Sequence, residues 1–584
     1  MAIFGSARGS GFRFMTVAAA FGSALPGAIA QTPSAGGAPL AGLSREEVLR
    51  LPSVLQAAAA DFGTPSCPQG AIAGLAPGEA EMGRLVEIRF EGVNVLNTTV
   101  LEKDWAELRG QMVSRDALSR IAARVECRYR FEGFLFARAS IRAQDGNATG
   151  SFVLSVAEGE LKTLEALAPD PAIASLVLRA FAGLKTGQAL NALDVRQGLA
   201  IAASLGVTDI RPTVRRSRTD PEKVDLVLVT GQPENEAFAS INNWGADALG
   251  PWGGFFGVRG VGLLGGSERS SLGLFTSADG NEQIGAQASF EGLLTRGGMT
   301  GRLDFAFARA RPGGDIAVLD VDAETAFAAA ALSGPLSIRR GLVAYWRAGL
   351  EAVNQETTFF GDVPLAMDRL RIGYLGVSAD GLLGGALWRA SADVRKGLGA
   401  LGASRQGEAD LSRLDADPQA GLVRGEAEIQ TPLPGGYLLK STLRGQHSGS
   451  GLASFEEFNF GSLNGGPGYD PGSVAGDSGV ALGLALEGPA FPVRDDVTVR
   501  PLLQLAGARA WNEDQSVSSD PRAVSASAGV RFELGDGINF DVVWAEPLRS
   551  SNVPEEASHG RLYVQLSTGL TWFKGRLLGG SDPK

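Results

Sequence analysis

The sequence predicts a mainly β protein. A C-terminal transmembrane β-barrel of about 16 antiparallel strands follows two small α/β units of order β-α-α-β-β. Two observations carry this. From residue 235 to 573, short segments alternate at period 2 between Gly-, Asp- and Asn-rich turns. Leu303, Phe305 and Phe307 oppose Asp304, Ala306 and Ala308, and Leu562, Val564, Leu566, Leu570 and Trp572 oppose Tyr563, Gln565, Ser567 and Thr571. Such alternation, weak in each segment but sustained over roughly 335 residues, is the pattern of strands with one apolar and one polar face. The second observation is a repeat: the same order of elements occurs twice between residues 81 and 234, at about 75 residues per copy.

Composition fits this reading. Gly makes up 80 of 584 residues, with the excess in the strand-and-turn region, and hydrophobic content is an ordinary 44%. No stretch of the mature chain is long and apolar enough for a transmembrane helix. A net charge of −11 argues against nucleic acid as a partner. The basic run Arg215, Arg216 and Arg218 reads as a solvated loop.

Residues 1–30 read as a signal peptide. Arg8 and Arg13 precede a short apolar core, Phe14–Leu25, and Ala28-Ile29-Ala30 is an A-x-A cleavage site. With a barrel behind it, this signal addresses the chain to a bacterial outer membrane. Residues 31–80 form a tail and linker. Ser44 and Glu47 make a capping box for a short helix, Ser44–Leu51, stopped by Pro52. Cys67 and Cys127 are the two cysteines, and in an oxidising compartment they either close a loop of about 60 residues, worth about 3–4 kcal/mol, or remain separate thiols.

The first unit, 81–160, has an alternating strand at Leu85–Val93, helices at Thr99–Leu108 and Ser114–Phe131, and strands at Phe136–Ala143 and Ser151–Val156. The second, 161–234, has a strand at Leu161–Leu167, helices at Pro171–Ala182 and Leu193–Leu205, and strands at Asp209–Val214 and Val224–Val229. Each unit is a small sheet covered on one side by two helices. The barrel occupies 235–573, about 21 residues per strand and turn, and 574–584 is a C-terminal extension.

Three motifs carry a resemblance to a family. Tyr129-Arg130-Phe131-Glu132-Gly133-Phe134-Leu135-Phe136-Ala137-Arg138 is similar to a "Y-x-x-x-G-Y-x-x-x-R" passage. Asn191 to Leu199 resembles an "L-N-x-x-D-L-E-x-x-L" helix, and Ser240-Ile241-Asn242-Asn243-Trp244-Gly245 a first barrel strand of the form "V-x-x-D-N-x-G". In this order they resemble the two-partner secretion transporters, the hemolysin secretion/activation family, in which paired POTRA domains precede an outer-membrane barrel. The resemblance implies export of a dedicated, large β-helical exoprotein, with the units in the periplasm and no cofactor. Partners are then that exoprotein, outer-membrane lipids and periplasmic chaperones. It also implies that cargo adds as a strand to a POTRA edge, and the second unit is the expected groove, through Leu193, Val195, Leu199, Leu226 and Leu228. The Ser44–Leu51 helix either plugs the barrel, as such helices can in the family, or is a frayed tether. A barrel-assembly insertase and a diffusion porin are the alternative readings.

The family's sixth extracellular loop carries "R-G-Y/F" and then "G-D-x-G" and folds into the lumen, where its arginine pairs with an aspartate of a "D-x-G" wall strand. Gly468, Tyr469, Asp470, Gly476, Asp477 and Gly479 match the loop, but Pro467 stands where the arginine is expected. The wall counterpart is expected at Leu505 and Gly507, with Gln504 one residue away, so the aspartate is missing too. Losing both partners removes a desolvation cost that neither charge could bear alone. The loop is then expected to be held by backbone hydrogen bonds, Tyr469 and Asp477.

Other motifs have plainer readings. Gly260-Val261-Gly262-Leu263-Leu264-Gly265 fits G-x-G-x-x-G but lies between alternating segments, which makes it a hairpin turn. Asn97 reads as a helix N-cap and Asn147 as a turn residue. The two histidines, His447 and His559, fall in expected loops without a catalytic motif around them, so the chain is not expected to be an enzyme.

Overall fold

The structure is a computed structural model describing residues 80–572, apart from 145–149, 232, 234, 362, 462–464, 514–519 and 536. The expected signal peptide, the Ser44–Leu51 helix, Cys67, Asn147 and the extension after 573 lie outside the described residues.

The first unit contains β1 (Glu81–Arg84), β2 (Glu87–Glu91), α1 (Thr98–Leu101), β3 (Met112–Ser114), α2 (Arg115–Phe131), β4 (Arg138–Ala143) and β5 (Ser151–Ala157). Asn97 caps α1 through its side chain, and two 3-10 turns carry that segment on to Leu108 in place of the longer helix expected. Ser114 Oγ accepts the Ala117 N–H to start α2, whose apolar stripe of Ala117, Leu118, Ile121, Val125 and Tyr129 is buried. That stripe covers a sheet of order β2-β5-β4, while β1 and β3 form a separate ribbon. The Tyr129 hydroxyl donates to Glu158 at 2.8 Å. Cys127 is buried on α2 and disulfide-bonded.

The second unit contains β6 (Glu160–Leu167), α3 (Pro171–Ala180), α4 (Ala192–Ser204), β7 (Ile210–Arg216) and β8 (Lys223–Thr230). Asp170 caps α3 with Pro171 in its first turn, and Asn191 caps α4. The sheet order is β6-β8-β7, so β8 is central and parallel to β6. Gly133 joins the two units. Its φ is +94°, its carbonyl accepts the Ala192 N–H at 2.9 Å, and a Cβ there would stand 2.5 Å from Asn191 Oδ1. The glycine of the Tyr129–Arg138 motif is therefore required by the approach of α4.

Sixteen antiparallel strands then close on themselves, counting Phe491–Arg494 as the continuation of Ser478–Glu487 past Gly488. The first strand, β9 (Asn235–Asn242), pairs with the last, Arg561–Trp572. The alternation is realised as outside and inside. Leu303, Phe305 and Phe307 are 48, 46 and 45% exposed on the outer face, whereas Ala308 is buried within. Ion pairs line the inner wall, among them Arg347–Asp393 at 2.8 Å, Lys440–Glu428 at 2.8 Å and Arg531–Asp541 at 2.7 Å. Closure leaves no strand edge open to an apolar surrounding.

The second unit docks on the near end of the barrel. Ala200 of α4 packs with Val343, Arg269 donates to Ser204 O at 3.1 Å, Arg179 donates to Leu293 O, and Val261 and Leu293 share the unit's core. Gly260–Gly265 forms the end of strand Gly253–Val261 and the tight turn that follows. At the far end, the longest connections are distal loop 5 (398–420) and distal loop 6 (449–477).

Candidate functional site

Distal loop 6 folds back across the inside of the barrel. At its root, Phe455 stacks on Phe327 of the sixth strand, Asp322–Arg339, with ring centroids 6.4 Å apart. Next to it, Glu456 meets Arg395 of the ninth strand, Ala386–Gly397, at 2.9 Å. Arg395 is 2% exposed and also holds Glu351 of the seventh strand at 2.6 Å. Val394 points outward, so Arg395 points into the lumen.

The tip of the loop rests on the opposite wall. Tyr469 is fully buried; its hydroxyl donates to Arg549 O at 2.8 Å, with Val524 O at 3.1 Å. The Gly468 N–H donates to the hydroxyl oxygen of Tyr563 at 3.0 Å, and the Asp470 N–H to Ala557 O at 3.0 Å. Val524, Arg549 and Tyr563 belong to the fourteenth, fifteenth and sixteenth strands. In a closed ring of sixteen, strands eight apart face each other, so contacts to strands six to nine and fourteen to sixteen take the loop across the diameter.

Between these ends the loop is a hairpin, Phe458–Phe460 paired with Val474–Gly476. Phe458, Phe460, Tyr469 and Val474 pack on Ala481, Ala506, Ala510 and Ala523 of the wall, where small side chains leave room for large ones. Pro467 is buried with them. Gly479 lies under Phe458, and a Cβ there would stand 2.2 Å from the ring.

Asp477 is fully buried at the end of the loop. It meets Arg413 of distal loop 5 at 2.6 Å and accepts N–H groups of Leu452 at 2.7 Å and Glu513 at 2.9 Å. Arg413 also holds Glu457 at 2.8 Å and Asp415 at 2.7 Å. Three carboxylates share one guanidinium, and burial pushes the Glu457 carboxyl up to about 7. Burial also raises Asp470, although Arg561 stands 2.9 Å away and draws it down.

The anchors expected from sequence are therefore in the loop: Gly468, Tyr469, Asp470, Gly476, Asp477 and Gly479 all lie in or beside this seat. Two expectations need correction. Leu505 is 48% exposed on the outer face, with Leu503, and Gly507 shares its parity. Of the expected wall counterpart, only Gln504 turns inward, and the wall residues that receive the loop are Ala506 and Ala510.

The groove in the second unit is also not where it was expected. Val195, Leu199, Leu226 and Leu228 are buried in the unit's own core, and β8 is paired on both sides, which leaves Leu193 as the exposed member of the set. An apolar stripe that fills a core and one that lines a groove read alike in sequence. The sheet has two edges, β6 and β7; β6 is met at its start by residues 187–189, and β7 carries Arg215 and Arg216, so these lie on a strand and not in a loop. Sequence reasoning missed Arg395, Arg413 and Arg561, whose partners are distant along the chain. His447 Nδ1 lies 3.2 Å from Ser478 Oγ, and His559 Nε2 lies 2.8 Å from an Arg561 nitrogen.

A closed barrel with an ionic wall, a loop across its lumen and paired β-α-α-β-β units at one mouth defines an outer-membrane β-barrel transporter with POTRA domains. The family described as haemolysin secretion/activation protein ShlB/FhaC/HecB matches residues 347–532, and the ShlB-type POTRA domain matches residues 84–159. Both matches, one in the barrel and one in the first unit, are to the haemolysin secretion/activation family, and they support a two-partner secretion transporter of the outer membrane with a secreted exoprotein as its partner. Among solved structures, CdiB from Escherichia coli shares 18% identity and a TM-score of 0.73, covering 91% of this chain and 100% of that one. CdiB from Acinetobacter baumannii shares 16% identity and a TM-score of 0.62, covering 87% and 95%. At these identities the two show the same fold. No curated protein matches the chain.

Proposed function

We propose that this chain takes its exoprotein unfolded from the periplasm at the β7 edge and threads it through the lumen once distal loop 6 leaves its seat. The seat carries this reading. It crosses the lumen, and it is made of separate side-chain contacts and one isolated backbone bridge, Tyr469 to Ser558, and not of a continuous ladder. An extended cargo strand gains backbone hydrogen bonds at a free edge with little demand on sequence. Pro212 cannot donate, which suits an outward-facing position on an edge strand. Residues two apart share a direction, so Val214 offers the next open donor. The outer apolar face meets outer-membrane lipid, and periplasmic chaperones deliver the unfolded barrel. Folding outside the cell supplies the drive.

Val214→Pro tests the edge. It removes that donor while the opposite ladder to β8 stays intact. Secretion of its cognate exoprotein should fall several-fold, with the barrel still folded by heat-modifiable gel mobility. Undiminished secretion would refute the edge assignment.

A further inference from the structure

We infer that Arg561 positions the tip of distal loop 6 and ties it to the seam where the first and last strands meet, so that loop release and seam loosening are one coupled step. The inference rests on the transport reading only in supposing that the loop leaves its seat.

Backbone pairing across the seam runs from Asn235↔Trp572 to Asn242↔Gln565. Beyond it, Asn243 continues the ladder with its side chain: Oδ1 accepts the Val564 N–H at 2.7 Å and Nδ2 donates to Leu562 O at 2.8 Å. Trp244 then stacks on Tyr563, with centroids 4.7 Å apart and planes at 26°. The end of the seam is thus closed by side chains together with one backbone bond, Asn243 N–H to Val564 O at 3.3 Å.

Tyr563 and Arg561 share the inner face of the last strand, and both touch the loop tip as well. The Tyr563 hydroxyl accepts the Gly468 N–H. Arg561 is 10% exposed and reaches three groups at once: Gly245 O at 3.3 Å, Asp247 at 3.1 Å and Asp470 at 2.9 Å. The first two follow β9, and the third is on the loop. The Asp470 contact is one of charge, since Asp470 Oδ1 is not aligned for a hydrogen bond. It is also inverted relative to the pair that the family resemblance implies, with the carboxylate on the loop and the guanidinium on the wall. A buried carboxylate that loses its cation keeps its desolvation cost, so Asp470 stays while Arg561 stays. Arg561 is held from the other side by the segment after β9, so movement of either side strains the other.

The test is single-channel conductance of the purified full chain in planar bilayers, which needs no exoprotein, so its failure is separate from a failure of the transport reading. Arg561→Gln and Asp470→Asn should each raise the frequency of the high-conductance state several-fold. Asp470 lies on the loop, so its variant remains informative if the wall variant folds poorly. Ser240 and Ser567 are paired across the seam, and Ser240→Cys with Ser567→Cys allows a disulfide there. With Arg561 present, closing that bond should suppress the high-conductance state and reduction should restore it; with Arg561→Gln, the bond should have no effect. Unchanged conductance in both single variants, or a seam bond without effect while Arg561 is present, would overturn the inference.

Discussion

Arg413 is the residue on which the inner end of distal loop 6 depends. Replacing it by Ala leaves Asp477, Glu457 and Asp415 facing each other with no cation between them, and a broken buried pair costs about 3–5 kcal/mol. Arg413→Ala should expose loop 6 to protease added outside whole cells, while the barrel keeps its heat-modifiable mobility. Glu457 makes the same cluster sensitive to pH. Its carboxyl is raised by burial from the ordinary 4.5 to about 7, so the seated loop holds this proton more tightly than the released loop does. The seat is therefore strongest below pH 4.5, weakens as pH rises through the interval up to about 7, and changes no further above it. High-conductance events should become more frequent between about pH 5 and about pH 8, and Glu457→Gln should flatten that dependence. A dependence unchanged by Glu457→Gln would place the titration elsewhere.

At the scale of elements, the loop hairpin needs a wall made of small residues. Ala506→Phe puts a ring where Phe458, Phe460 and Tyr469 now pack, an over-packing that costs about 1–3 kcal/mol. The loop can move while the wall cannot, so the variant should form a normal barrel with more frequent channel opening. Normal gating in a correctly folded Ala506→Phe barrel would show that the seat is not formed there. Elements were legible in the sequence where their cause is local. Ser114, Asp170 and Asn191 announce helices because a cap acts on the next few N–H groups, and Leu303, Phe305 and Phe307 mark a strand by alternation. Tyr469 and Asp477 were legible as anchors from a motif, but Arg413, Arg395 and Arg561 were not. Their partners lie 64, 61 and 91 residues away, at Asp477, Glu456 and Asp470, and only closure of the ring brings them together. The second unit shows the opposite failure, because the spacing of Val195 and Leu199 correctly marks a buried face and says nothing of whether it opens to a partner.

As a whole, the molecule places a free sheet edge at one mouth of a closed ring and a seated loop across its lumen. Away from the seam between the first and last strands, the ladders of the wall hold whether the loop is seated or not. Transport on this account requires the loop to leave the wall at Tyr469. Tyr469 and Ser558 face each other as an isolated antiparallel bridge, flanked by the Asp470 to Ala557 and His559 to Gly468 hydrogen bonds. Such a non-hydrogen-bonded pair brings Cα atoms to about 4.5 Å, within reach of a disulfide. The most direct measurement is secretion of the cognate exoprotein by the Tyr469→Cys, Ser558→Cys variant, before and after mild reduction. The account predicts that secretion stops while the bond is closed and returns when it is reduced. Equal secretion in both states, with the bond shown to be formed, would contradict it.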